Sequence, residues 1–303
     1  MLRRDFETIL RRIQAGQTAE LTMEAEGQTY RRLFRPQERL LLLGGGHIAL
    51  PLCELGAKLG FAVTVADDRA EFAAPERFPA AAQTLCGPFP ESIAAFHVRE
   101  TDYVCVITRG HRSDDTCLRC LFPGTQPRYL GMIGSRRRTS QMLDIYRQEG
   151  ISPALLDAIH TPIGLSIGAV TPEEIAVSIA AELIAVRRSK GAEGETDALE
   201  NRDIPPAVLR RLSESTPAAA ALVLRSHGST PAKSGALMAV EADGSITGTI
   251  GGGLAEFEAA GAAAAIIGTG ESRVLTFRMD HSVAAAEGMA CGGDITVYIS
   301  DMR

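Results

Sequence analysis

"LLLLGGGHIALPLCELG", residues 40–56, governs how the rest of the chain is read. Four leucines make a continuous apolar run, Gly44, Gly45 and Gly46 follow, and a helical pattern starts at about Ile48. A buried strand, a glycine turn and a helix are the parts of a phosphate grip. Glycine permits a tight turn and close approach of a ligand, and the helix N-terminus offers N–H groups and the positive end of its dipole. Taken alone the string says phosphate or nucleotide, or a purely structural turn. His47 directly after the glycines, and Ala49 where a third close-approach glycine would fall, leave open whether the pocket takes NAD, FAD or something else.

The flanking segments extend the pattern. "FAVTVADDR" (61–69), "DYVCVITRGH" (102–111) and "YLGMIGSRRR" (129–138) read as strands running into polar ends. "TPEEIAVSIAAELIAVRR" (171–188) reads as a helix: Thr171 can cap it, Pro172 and two glutamates suit its first turn, and Arg187 and Arg188 its last. Strands alternating with helices predict an α/β fold, a Rossmann-like doubly wound parallel sheet over 37–188. Residues 1–36 read as an amphipathic helix and a hairpin turning at Glu26-Gly27, and the polar stretch 189–206 reads as a linker. Residues 207–303, with several short strands and one Ala-rich helix near 256–267, predict a second, smaller α+β domain.

Composition narrows the classes of function. Of 303 residues 45% are apolar, and the net charge is −6, which disfavours nucleic acid as the main partner because phosphate contacts need concentrated Lys and Arg. No uncharged run is long enough for a membrane span, and the N-terminus lacks the apolar core of a signal peptide. The six irregularly spaced cysteines make no disulfide framework, so a reducing cytoplasm is expected.

Candidate functional residues gather where strands end. Asp67 and Asp68 lie roughly 20 residues past the glycines, where a ribose-binding acid stands in dinucleotide folds; capping or a salt bridge to Arg69 is the other reading. "TRGHRSDD" brings Thr108, Arg109, His111 and Asp114 to the end of a buried strand, where open α/β sheets present binding groups. His47 and His111 suit proton relay, or are plain surface histidines. Cys117 and Cys120 form one CxxC with no second pair nearby, so buried or unremarkable cysteines are expected rather than zinc or a redox pair, and no metal site is assigned. Ser135 and Arg136, in a loop-like setting, suit an anion or a solvated turn. Gly251 and Gly252, leading into a helix, form a second candidate anion cradle or a tight turn. Cys291, flanked by small residues in "GMACGGD", is sterically suited to thiolate chemistry. No Ser-His-Asp arrangement is identifiable, so hydrolase chemistry has little support, and an NAD(P)-dependent oxidoreductase using the strand-glycine-helix unit is one reading.

These strings together resemble the XdhC/CoxI family, maturation factors for xanthine dehydrogenase and related molybdenum hydroxylases. "YLGMIGSRRR" and "TPIGLSIGAVTPEEIAVSIAAELIAVRR" are more specific than any glycine fingerprint, and "GSTPAKSGALM", "GTIGGGLAE" and "EGMACGGDITVYI" match the family's small domain. That domain usually comes first and here comes last. The family's Pro-Arg is replaced by Pro231-Ala232-Lys233, and its cysteine after the triple glycine by Leu254, so contacts made by those side chains are not carried over. The resemblance implies binding of molybdenum cofactor (molybdopterin), its protection, its sulfuration with a cysteine desulfurase and its delivery to an apo molybdenum hydroxylase, with a homodimer as the family's habit. It would set the glycines and Arg136 at the cofactor's phosphate, Asp67 and Asp114 at pterin N–H groups, and His47, His111 or Cys291 near the metal end.

Overall fold

The structure, a computed structural model, describes residues 3–189, 199, 206–214, 216–228, 230, 233–279 and 293–302. It divides into two compact units, one made of 37–192 and the other of 1–36 together with 193–303.

The chain opens with α1 (Arg3–Gln14), whose apolar stripe buries Phe6 and Ile9. Next come β1 (Ala19–Ala25) and β2 (Gln28–Phe34), paired antiparallel. Glu26 and Gly27 turn between them with φ of 50° and 72°, the paired positive angles of a two-residue hairpin turn.

The second segment runs β3 (Arg39–Leu43), α2 (Ala49–Lys58), β4 (Ala62–Asp67), β5 (Gln83–Cys86), α3 (Phe89–Phe96), β6 (Tyr103–Val106), α4 (His111–Leu121), β7 (Tyr129–Met132), α5 (Arg136–Gln148), α6 (Pro153–Asp157), β8 (Ile159–His160) and α7 (Pro172–Arg188). Its six strands are parallel in the order β5-β4-β3-β6-β7-β8. Winding starts at β3, runs outward to β5, then returns to β6 and runs the other way. The reversal between β3 and β6 opens a crevice beyond their C-terminal ends. The leucine run shows why this sheet is buried on both faces. Leu40 and Leu42 point to the core shared with Leu52 of α2 and Ile179 and Leu183 of α7. Leu41 and Leu43 point to the opposite core, with Ile93 of α3, Leu118 of α4 and Tyr146 of α5.

Helix α7 begins as its letters predict. The Thr171 hydroxyl accepts from the Glu174 N–H, and the Glu174 carboxylate accepts from the N–H of Thr171, a complete capping box. The arginine run differs from its loop-like expectation. Arg136, Arg137 and Arg138 form the first turn of α5, capped by Ser135, whose hydroxyl accepts from the Arg138 N–H. Cys117 is fully buried under α4. No described helix is long and apolar enough to cross a membrane.

The other unit adds α8 (Pro206–Ser213), β9 (Ala218–Gly228), β10 (Leu237–Glu241), β11 (Ile246–Gly248), α9 (Gly253–Ala264), β12 (Ser272–Met279) and β13 (Gly293–Asp301). Its antiparallel sheet has the order β11-β10-β9-β13-β12. Ala219, Ala221 and Val223 of β9 face the alanines of α9. The alternate residues Ala220, Leu222 and Leu224 face Phe6 and Ile9 of α1, Leu21 of β1, Phe34 of β2 and Val208 and Leu212 of α8. Residues 1–36, read from sequence as a separate leader to the parallel sheet, thus supply one wall of this unit's core.

Candidate functional site

The glycine loop at the end of β3 divides its work among three residues. Gly44, with φ 114°, sits so close to the chain leaving β6 that an added Cβ would lie 2.5 Å from the Ile107 carbonyl oxygen and 2.9 Å from the Thr108 Cα. At Gly45 a Cβ would overlap the carbonyl oxygen of Phe72. Gly46 is different, because an added Cβ would meet nothing within 4 Å. Ala49, fully buried at the start of α2, fills the helix–sheet packing place of the third glycine. Among the described residues the N–H groups of Gly46, His47 and Ile48 have no hydrogen-bond partner in the protein. Three adjacent free donors at a helix N-terminus, beside an open α-carbon and at the sheet's switch point, are an arrangement that can receive an anion.

The acids around it are largely committed. Asp67 is 2% exposed. One carboxylate oxygen accepts from the Gly45 N–H at 2.8 Å, and the other from the main-chain N–H and guanidinium of Arg69 at 3.0 and 2.9 Å. Burial alone would raise its pKa, but the hydrogen bonds from Arg69 and Gly45 outweigh it and hold the carboxyl below its usual range. This is the salt-bridge reading of Asp67, with an added hold on the glycine loop, and those hydrogen bonds are ones a ligand N–H would have to replace. Arg69 in turn lies 3.5 Å from the Phe72 ring centroid. Asp68 pairs with Arg109.

Asp114 is likewise internal, with no exposed surface. It accepts from the Thr108 hydroxyl at 2.6 Å and from Arg138 at 3.0 Å, so it ties β6, α4 and α5 together rather than facing a cleft. Burial pushes its carboxyl up against the opposing pull of Thr108 and Arg138. His47 and His111 are exposed, in the turn before α2 and at the first position of α4. Ser135 is spent as a helix cap, and Arg136 is exposed beside it. Arg138, not singled out from sequence, makes the interior contact; its place three residues after a capping serine is the available signal. Among the described residues no three His, Cys, Asp or Glu side chains converge as a metal site would require.

The second glycine string behaves differently. Glu256 reaches back under it, and its carboxylate accepts from the N–H groups of Ile250 at 2.9 Å and Gly252 at 3.1 Å. The N–H of Gly251 goes to the Thr249 hydroxyl. The chain's own groups thus take the N–H groups of Gly251 and Gly252, the two residues read from sequence as this cradle. It lies in the other unit from Gly44–Gly46. Cys291, Ser229, Pro231 and Ala232 lie outside the described residues.

One pattern escapes the sequence reading. Gly164-Leu165-Ser166-Ile167-Gly168 has the letters of a hydrolase nucleophile elbow. Ser166 is exposed in the loop between β8 and α7, six residues before the helix starts, rather than on a strand-to-helix turn, so the letters carry no elbow.

Comparison with known proteins adds two family matches. Residues 40–183 match the model of the XdhC Rossmann domain, and residues 212–278 match the model of the XdhC and CoxI family. A protein of Bacillus subtilis (strain 168) described as a probable component of xanthine dehydrogenase is 37% identical over 156 residues, covering 51% of this chain and 44% of that protein. The uncharacterized protein YqeB of Escherichia coli (strain K12) is 34% identical over 153 residues, covering 50% of this chain and 28% of that protein. The matched region thus spans under half the length of either relative. A crystal structure of a Bacillus halodurans protein described as a xanthine dehydrogenase is 31% identical with a TM-score of 0.49, covering 57% of this chain and 50% of that one.

Proposed function

Because this chain belongs to the XdhC/CoxI family, with the family's Rossmann region placed ahead of its XdhC and CoxI region, we propose that it serves the maturation of a xanthine dehydrogenase-type molybdenum hydroxylase. In this reading it holds molybdenum cofactor, protects it, supports its sulfuration alongside a cysteine desulfurase, and passes it to the apo-enzyme. The observation that supports cofactor holding is the free N–H cradle of Gly46, His47 and Ile48, with room over Gly46 for a phosphate oxygen. In this reading the phosphate-bearing end of the cofactor meets this cradle. When bound in the hydroxylase, the cofactor supplies molybdenum-centred redox chemistry. The carrier's residues bind and orient: main-chain donors at the phosphate, and Asp67 with Arg69 holding the loop in shape.

The reading as an NAD(P)-dependent oxidoreductase draws on the strand order and on an acid at the end of β4. Against it stands the Asp67 carboxylate, whose two oxygens already accept hydrogen bonds from Gly45 and Arg69. An anaerobic titration separates the two. The full chain should bind molybdenum cofactor saturably, Gly46→Ala should lose that binding while folding normally, and NADH and NADPH should bind weakly or not at all. Tight NAD(P)H binding without retention of the pterin would reverse the assignment.

A further inference from the structure

Sheet order gives the Asp68–Arg109 pair an unusual position. Asp68 directly follows β4 and Arg109 lies three residues past β6, and between these strands runs β3, which ends in the glycine loop. The two side chains nonetheless meet in a bidentate pair, Nη1 to Oδ1 at 3.1 Å and Nη2 to Oδ2 at 3.2 Å. Adjacent strands are about 4.8 Å apart, so β4 and β6 are separated by about 10 Å. The pair therefore spans the end of β3, where Gly44–Ile48 leave the sheet. The main chain of Ile107 and Thr108, just before Arg109, is what packs against Gly44. Both partners remain in contact with water, Arg109 at 51% and Asp68 at 35% side-chain exposure. Exposed pairs of this kind shift an equilibrium by a factor of about 1.4 to 5, so this one opens at little cost.

A guanidinium offers the same flat fork to a carboxylate and to a phosphate, and a dianionic phosphate is the stronger partner. Resting on the reading of Gly46–Ile48 as an anion cradle, we propose that Arg109 is a phosphate-binding residue of this site and that Asp68 is its built-in competitor. A phosphate arriving at the free N–H groups takes the Arg109 fork and displaces Asp68. The released carboxylate has a second cation within reach, since Asp68 Oδ1 already lies 3.9 Å from Arg69 Nε. The site thereby favours doubly charged phosphate and pyrophosphate groups over singly charged anions, which compete less well with Asp68.

The test is calorimetric titration of the full chain with inorganic pyrophosphate at low ionic strength, in wild type, Asp68→Asn, Arg109→Gln and the double variant. Asp68→Asn should bind pyrophosphate about 2- to 5-fold more tightly, and Arg109→Gln at least about 5-fold more weakly. The decisive result is the double variant: with Arg109 gone, Asp68→Asn should bring no gain. An equal gain in both backgrounds would mean simple relief of negative charge and would overturn the proposal, as would Asp68→Asn binding like wild type. If neither wild type nor Asp68→Asn binds pyrophosphate, or if Gly46→Ala leaves binding unchanged, the cradle reading itself fails and the inference with it.

Discussion

Gly45 and Gly46 are adjacent and chemically identical, yet opposite outcomes are expected on substitution. A Cβ at Gly45 would drive into the Phe72 carbonyl, main chain that cannot swing aside. Gly45→Ala should therefore lower stability by about 1–3 kcal/mol, read as a reduced urea midpoint. Gly46→Ala meets no neighbour and should unfold within about 0.5 kcal/mol of wild type, its defect confined to ligand binding. Asp67 gives a pH signature of definite sign. Its folded pKa lies below the unfolded value, so its stabilisation is present above about pH 4 and is lost as the pH falls through the folded pKa. Asp67→Asn should cost about 2 kcal/mol at pH 7 and flatten the acid limb of stability below about pH 4. An acid limb identical to wild type in urea titrations across pH 2–7 would contradict that account.

Among helices, α7 is legible because its signals are local: a capping threonine, proline at the first position, glutamates and then arginines along the dipole. Removing the capping hydroxyl in Thr171→Ala should cost about 1 kcal/mol, measurable as a shift in urea midpoint. Helix α5 is illegible for the converse reason. Three arginines in a first turn oppose the helix dipole, and the helix forms there because Ser135 caps it and Arg138 finds Asp114 and the Ile133 carbonyl. Those partners come from α4 and the end of β7, so nothing within the arginine run announces them. In the CxxC of α4, Cys117 is buried as expected, because its place in the helix points it to the core.

Across the whole chain, the contribution of residues 1–36 is the feature with the largest consequence. Phe6, Ile9, Leu21 and Phe34 complete a core otherwise made from β9, β10 and α8. Deleting residues 1–36 should therefore unfold the unit containing 206–302 and leave the parallel-sheet unit folded, seen by limited proteolysis as a protected fragment near 37–189. Loss of both units together, or of neither, would refute this division of cores. The amino-acid order sufficed for the four inner strands of the parallel sheet, because β3, β4, β6 and β7 are short apolar runs ending at their own turns, and for the placing of glycines and acids at strand ends; the edge strands β5 (QTLC) and β8 (two residues) carry no such run and form by pairing with their neighbours. It also carried the family's motifs. What it left undecided was which main-chain donors of the glycine loops are taken. Asp67 accepts from Gly45, Glu256 accepts from Gly252, and Gly46–Ile48 stay free. A main-chain N–H has no letter of its own: whether it is paired depends on where folding brings a carboxylate, and that is a property of three-dimensional position.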